Sequence, residues 1–189
     1  MKVVFDTAFL VVLLNESVAS ANDPRSNGPI DRPKERLSHL ISELEKQRAK
    51  IILPTPALAE VLANAGPALK PWLDIIASHS VFQIEPFDTL AAVEAAIMFD
   101  QARARGDWKD GSMSPRQKIK VDRQIAAIAR RHSAQRLYTN DGDLEKVLGP
   151  GSSISVVYLS ELPLPPEQPQ LDLLTDLDVI EAGDDASDD

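Results

Sequence analysis

The sequence predicts an α/β protein, a three-layer α/β/α sandwich with a mainly parallel sheet of about five strands. Short apolar runs rich in β-branched residues alternate along the chain with stretches whose apolar residues recur at helical spacing. Such alternation predicts helices on both faces of the sheet, joined by right-handed crossovers. The chain has 189 residues, 43% of them hydrophobic, which is enough for one domain with a core and a short appendage.

The elements follow from local patterns in chain order. The predicted strands are residues 2–5, 51–53, 81–84, 136–139 and 154–159. The predicted helices are residues 7–14, 34–49, 55–66, 67–77, 89–105 and 118–133. Residues rich in Asn, Ser, Pro and Gly predict a loop at 15–33, a second loop at 106–115, and a turn at the NDGD sequence of 140–143.

The composition changes after residue 160, which divides the chain into a predicted domain, 1–160, and a tail, 161–189. The tail has ten acidic residues and no basic one, with four prolines between 163 and 169. Residues 1–159 have 20 basic and 19 acidic side chains, so the net charge of -9 belongs to the tail. We expect this acidic, Pro-rich tail to be partly disordered.

Several classes of protein are excluded by composition. The chain has no cysteine, which excludes disulfides, thiolate zinc sites and cysteine nucleophiles, and its three histidines are scattered. The longest apolar run, residues 8–14, is about a third of the length that a membrane helix needs. Asp6 interrupts a start that otherwise imitates a secretory signal, so we expect a cytoplasmic protein without a membrane association.

Acidic residues follow the predicted strands at the edge where parallel sheets usually carry their sites. Asp6 directly follows the first strand, and Asp141 and Asp143 follow the fourth. Glu60 lies in the second turn of the helix that leaves the second strand. Asp122 lies near the start of its helix, at a position that begins the buried stripe.

Each acid, taken singly, also has a structural explanation as a helix cap, a turn residue or a solvated helix residue. Taken together, carboxylates that converge at one edge would raise one another's pKa unless a cation lay among them. Because the chain has no cysteine and no clustered histidine, the available ligands are oxygens, and these select Mg²⁺ or Mn²⁺.

Three segments carry a resemblance to a known family: VVFDTAFLVVLL, PTPALAEVLA and VDRQIAAIARRHSAQRLYTNDGDL. In this order they resemble the motifs of the PIN-domain nucleases, whose bacterial members include the VapC-type toxins. The resemblance covers residues 2–159 and is most specific in the third segment. By position, it implies that the catalytic and metal-binding acids are Asp6, Glu60, Asp122 and Asp141, with Asp143 as an added or alternative metal ligand.

The activity that the resemblance implies is hydrolysis of RNA phosphodiester bonds by a Mg²⁺- or Mn²⁺-dependent endoribonuclease. It also implies a toxin with a separate protein antitoxin, and the apolar helix at 67–77 could pair in a homodimer. Residues 103–136 contain ten basic and three acidic side chains, which suits RNA but is also typical of a solvated helix surface. The nucleic-acid-binding residues predicted from this stretch are Lys118, Lys120, Arg123, Arg130 and Arg131.

An alternative is a non-catalytic RNA-binding or scaffold protein that retains the PIN fold. Two departures from the family pattern motivate it: Ala8 stands where the family commonly has Asn, and the acidic tail is longer than a minimal member needs. Other phosphate chemistries fit less well. A haloacid-dehalogenase-like phosphatase needs a second acid where Ala8 stands, and the sequence has no P-loop.

Overall fold

The computed structural model describes residues 1–15 and 21–166, and within them the chain forms five strands and seven α-helices. In chain order these are β1 (Lys2–Phe5), α1 (Thr7–Leu14), α2 (Pro33–Lys46), β2 (Lys50–Pro54), α3 (Thr55–Ala63), α4 (Leu69–Ser78), β3 (Phe82–Glu85), α5 (Thr89–Ala104), α6 (Arg116–Arg131), β4 (Arg136–Thr139), α7 (Gly142–Leu148) and β5 (Ser155–Tyr158). Single 3₁₀ turns occupy Gly66–Ala68 and Leu159–Glu161.

The five strands form one sheet in the order β3-β2-β1-β4-β5, and every neighbouring pair is parallel. This confirms the predicted α/β/α fold. β2 and β3 lie on one side of β1, whereas β4 and β5 lie on the other, so the direction of winding reverses between β1 and β4. Helices that leave the two strands at such a switch point diverge and open a crevice at their carboxyl ends.

Aromatic packing fixes the central strands beneath that crevice. The ring of Tyr138 on β4 lies 5.6 Å from that of Phe5 on β1, in an edge-to-face arrangement, and 5.7 Å from that of Phe9 on α1. All three side chains are almost completely buried. Each such pair contributes about 0.5–1.5 kcal/mol beyond the burial of area. The residues that follow β1 and β4 therefore start from well-ordered positions.

One helix was not predicted from the sequence. The NDGD sequence was predicted to be a turn, but Asp141 caps α7, which begins at Gly142 and connects β4 to β5. At seven residues α7 is too short for a helical period to be recognised. The other elements match their predicted positions to within about three residues at each end.

The loop predicted at 15–33 is attached to the end of β5 in its described part, residues 21–32. Arg25 forms an ion pair with Glu161 at 2.7 Å, and its guanidinium lies 4.5 Å from the centre of the Tyr158 ring. Leu162, next to Glu161, is buried in the core. The rest of the predicted tail, residues 167–189, lies outside the described residues.

Two helices leave large apolar side chains at the surface. On α4 these are Leu69 and Leu73, and on α5 they are Leu90, Val93 and Ile97 at helical spacing. Each helix thus presents exposed apolar side chains, of the kind that proteins use for association. Within residues 1–15 and 21–166, no helix combines the length and apolar character needed to cross a bilayer.

Candidate functional site

Asp6 lies at the carboxyl end of the central strand, at the switch point. Its Oδ1 accepts a hydrogen bond from the backbone N–H of Phe9 at 2.9 Å, so Asp6 is the N-cap of α1. Its Oδ2 accepts a hydrogen bond from the Thr139 hydroxyl. The side chain is buried, and this burial raises its pKa to about 7 although both hydrogen bonds lower it; the nearby charges of Asp141 and Asp122 raise it further.

Three more predicted acids converge on one cation, the ammonium of Lys118. Its Nζ lies 2.5 Å from Oδ2 of Asp141, 3.0 Å from Oδ2 of Asp122 and 3.3 Å from Oδ2 of Asp143. Lys118 is one helical turn before Asp122 on α6, and Asp141 and Asp143 lie at the start of α7. We call Lys118, Asp122, Asp141 and Asp143 the charged cluster.

Thr139, at the end of β4, connects Asp6 to the charged cluster. Its Oγ1 donates to Asp6 and accepts a hydrogen bond from the backbone N–H of Asp141 at 2.8 Å. Asp141 in turn caps α7 by accepting the N–H of Asp143 on Oδ1 at 3.0 Å. Thr139 was not among the predicted site residues, although it is the first residue of the Thr-x-Asp pattern that begins at the end of β4.

The acids of the charged cluster differ in their electrostatics. Burial raises the pKa of Asp122 to about 6, although Lys118 lowers it. Burial also acts to raise the pKa of Asp143, but hydrogen bonds from Ser114, Lys146 and Ser112 outweigh it and bring the pKa well below its usual range. For Lys118, burial lowers the pKa, while hydrogen bonds to Asp141 and Asp122 raise it above its ordinary value. Burial thus keeps the pKa values of Asp6 and Asp122 above the ordinary carboxyl value, in the case of Asp122 despite its contact with Lys118.

Among the described residues, Glu60 is the predicted acid that contacts neither Lys118 nor Thr139. It is exposed on α3, and its Oε2 accepts a hydrogen bond at 2.7 Å from the hydroxyl of Thr7, the residue after Asp6. Among residues 1–15 and 21–166, no three acidic or histidine side chains form a ready-made metal site. The donors still fit a hard cation, because carboxylate oxygens of the charged cluster already surround one positively charged atom.

The predicted nucleic-acid-binding residues are mostly engaged within the protein. Lys118 belongs to the charged cluster, and Arg123 is buried, with its guanidinium 2.6 Å from Asp110. Arg130 pairs with Glu94 at 3.1 Å and Arg131 with Asp88 at 3.0 Å. Lys120 is exposed, and lines a groove of about 500 Å³ between α5 and α6 that also includes Phe99, Trp108 and Arg116. The structure does not bring the five cations together on one open face.

The fold and the position of these acids define an α/β/α domain with carboxylates at the switch point of a parallel sheet. Solved structures of VapBC and VapC proteins have a similar fold. A chain of VapBC2 from Rickettsia felis, bound to a DNA fragment from their promoter, is similar with a TM-score of 0.54 and 15% sequence identity; 84% of this chain and 98% of that chain are covered.

Two further structures are similar to a comparable degree. DNA-bound VapBC from Salmonella typhimurium has a TM-score of 0.53 at 14% identity, covering 84% of this chain and 98% of that one. VapC20 of Mycobacterium tuberculosis, a Sarcin-Ricin loop cleaving toxin, has a TM-score of 0.50 at 18% identity, covering 75% and 92%. No family model and no curated protein sequence matches the chain. The predicted resemblance to VapC-type PIN domains is confirmed at the level of the fold.

Proposed function

We propose that this protein is a divalent-metal-dependent endoribonuclease of the VapC type. The observation that carries the proposal is the convergence of Asp122, Asp141 and Asp143 on one cationic position, next to Asp6. Carboxylates that have raised pKa values, such as Asp6 and Asp122, gain most from an added positive charge. The VapC-like fold supports the same conclusion.

In this proposal Asp6, Glu60, Asp122 and Asp141 hold Mg²⁺ or Mn²⁺, and Asp143 is an additional ligand. The bound metal would neutralise the scissile phosphate and supply hydroxide near neutral pH. The protein contributes the orientation of the carboxylates. Thr139 fixes Asp6, and the Ser114 hydroxyl fixes Asp143 at 2.6 Å.

The proposed substrate is RNA, in the cytoplasm, and the proposed partner is a protein antitoxin. Support comes from the similar structures, of which two are VapBC assemblies and one is a toxin that cleaves the Sarcin-Ricin loop. We assign backbone binding to Lys120, which is exposed, because the other predicted cations each contact acids of this chain. Leu69 and Leu73 on α4 offer an apolar surface for a homodimer.

A non-catalytic RNA-binding or scaffold protein is the second candidate. One observation favours it: Lys118 already lies among three of the acids, while Glu60 is paired with Thr7. This candidate predicts RNA binding that weakens with salt and produces no metal-dependent cleavage product.

The experiment that tests the proposal is an RNA cleavage assay in Mn²⁺ or Mg²⁺, with EDTA as the metal-free reference. The test variant is Asp6→Asn, because asparagine still caps α1 and so keeps the fold. We expect its cleavage rate to fall by at least about a hundredfold. Asp100→Asn, at an exposed position on α5, is the control and should cleave at the wild-type rate.

Undiminished cleavage by Asp6→Asn would contradict the assigned site. Binding of RNA by the wild-type protein without any cleavage in either metal would favour the scaffold candidate.

A further inference from the structure

The position of Lys118 bears on how the proposed metal site works, and the inference rests on the proposed function. We propose that Lys118 is a tethered counter-ion of the acids, which occupies the position of the metal when no metal is bound and which a divalent ion must displace. The chain would thus compete with its own cofactor. Lys118 would act as a positioning residue that sets metal affinity.

The geometry of Lys118 is that of a saturated cation site. An ammonium has three N–H donors and no acceptor. The Nζ of Lys118 has three carboxylate oxygens around it, one each from Asp122, Asp141 and Asp143, at 2.5–3.3 Å. The number of donors therefore equals the number of acids, and these three acids hold one cation between them.

A metal bound by the same oxygens could not share the site with this ammonium. Mg²⁺ binds carboxylate oxygens at about 2.0–2.1 Å, closer than an N–H donor approaches them. A metal at the centre of the three oxygens would therefore be nearly coincident with the Nζ of Lys118. Two cations in contact also repel one another strongly in a partly buried site.

Lys118 can leave the site because its side chain is attached flexibly and open to water. The side chain is 37% exposed, whereas that of Asp122 is 7% exposed. A lysine has a flexible four-carbon stem that can carry its charge into solvent. The acids, held by Thr139, Ser114 and the start of α7, would stay in place while the ammonium moves.

Lys146 provides a matched comparison on the same acid. Its Nζ lies 3.0 Å from Oδ1 of Asp143, whereas Lys118 contacts Oδ2 of that carboxylate. Within residues 1–15 and 21–166, Asp143 is the one acid that Lys146 contacts, so Lys146 adds positive charge near the cluster without lying between several acids. If general charge set metal affinity, the two lysines would matter equally; if displacement set it, Lys118 would dominate.

The experiment measures Mn²⁺ binding to the full chain at pH 7, by isothermal titration calorimetry and by the loss of the free Mn²⁺ signal in electron paramagnetic resonance. We expect Lys118→Met to bind Mn²⁺ about tenfold or more tightly than the wild type. Lys146→Met should change the affinity by less than about threefold, and Lys118→Arg, which keeps the charge, should not tighten it.

A second measurement, of Tm with and without Mn²⁺, shows whether the Lys118→Met variant is folded when no metal is bound. Lys118→Met leaves three acids without their shared cation, so its Tm in EDTA should fall below that of the wild type. Its rise in Tm on adding Mn²⁺ should exceed the wild-type rise. If Lys118→Met does not fold in EDTA, Lys118→Gln, which keeps a hydrogen-bond donor, replaces it in both measurements.

The outcomes separate this inference from the proposed function. If the wild type binds Mn²⁺ and Lys118→Met binds it no more tightly, displacement is wrong while the metal-dependent nuclease still stands. An equal gain in affinity from Lys146→Met would also overturn displacement, in favour of general charge. If neither the wild type nor the Lys118 variants bind Mn²⁺, the proposed metal site itself fails.

Discussion

Helices α4 and α6 each carry a lysine four residues before an aspartate, yet the two pairs have different surroundings. On α4, Lys70 and Asp74 approach to 2.7 Å, with side chains 83% and 65% exposed. On α6, Lys118 and Asp122 approach to 3.0 Å, with side chains 37% and 7% exposed. Lys118 also contacts Asp141 and Asp143, because α6 begins beside the edge where β4 ends.

The comparison shows that sequence spacing predicts an ion pair but not its role. Four-residue spacing places both lysines beside their aspartates. The role depends on where the helix lies relative to the sheet. The pair on α4 is solvated, whereas that on α6 is part of a cluster of acids with unequal pKa values at the switch point.

The largest expected difference between the two pairs is in activity. Asp122→Asn should lower kcat/KM for RNA cleavage about a thousandfold, equivalent to about 4 kcal/mol, because it removes a proposed metal ligand. Asp74→Asn on α4 should leave kcat/KM unchanged. Single-turnover cleavage in Mn²⁺ measures both. Similar losses for the two variants would show that the position at the switch point carries no special role.

A third ion pair, in which both side chains are buried, can be compared with the pairs on α4 and α6. Arg123 on α6 pairs with Asp110, and the two side chains are 9% and 3% exposed. Arg123→Met leaves Asp110 buried with one fewer partner, so the free energy of unfolding should fall by about 3 kcal/mol. Urea denaturation measures this loss.

The control for this stability effect is Lys120→Met, at an exposed position on the same helix, which should be nearly neutral. A loss below about 1 kcal/mol for Arg123→Met would show that the buried pair adds little to stability. RNA affinity per folded molecule should stay at the wild-type value, because Arg123 is committed to Asp110.

A smaller effect is expected in the pH dependence of stability. The pKa of Asp122 is about 6 in the folded protein, against an ordinary 3.8, so the folded state retains a proton that the unfolded chain releases. This contribution is fully present below pH 3.8 and is lost as the pH rises to about 6. Asp6, with a pKa of about 7, acts in the same direction.

Between pH 4 and 6, the wild type should therefore lose about 1–2 kcal/mol more stability than Asp122→Asn, measured by urea denaturation at each pH without metal. Gln124→Ala, a substitution that removes no titrating group, should follow the wild-type curve. Parallel curves for the wild type and Asp122→Asn would contradict a raised pKa for Asp122.

The smallest effect belongs to the exposed pair on α4. Lys70→Met should change the free energy of unfolding by no more than about 0.5 kcal/mol, since water and salt screen this interaction. Denaturation at low and high salt tests this. A loss comparable to that of Arg123→Met would show that exposure does not separate the two pairs.

The sequence was sufficient to predict the order of strands and helices, because apolar periods of two kinds alternate clearly along the chain. It also located Asp6 and Asp141, since Asp6 directly follows β1, Asp141 lies two residues after the end of β4, and these strands pair in the sheet. The helix α7 escaped prediction because seven residues hold too few turns to show a period. The sequence was sufficient to place Glu60 on α3. It did not predict the direction of the Glu60 side chain, because that side chain is hydrogen-bonded to Thr7 on α1.

Counting the charged residues along α6 does not show which of them form ion pairs within the protein. Lys118 and Arg123 entered the prediction as cations of a basic stretch, yet each contacts acids of this chain. The sequence did contain an indication that Arg123 is buried. Arg123 lies four residues after the buried Ile119 and so on the same side of the helix. For Lys118, spacing along α6 indicates the contact with Asp122 but not those with Asp141 and Asp143, which come from the start of α7.

The hydroxyl of Thr139, which bonds both Asp6 and Asp141, ties the chemistry of the molecule to the pairing of its two central strands. Phe5 lies opposite Tyr138 in the sheet, so Asp6 and Thr139 come level just beyond. A slip of one residue would turn alternate side chains to the opposite face and separate these groups. A copy that folds with its strands misaligned would therefore lack the assembled acidic site, so correct pairing of β1 and β4 is a precondition for the proposed cleavage of RNA.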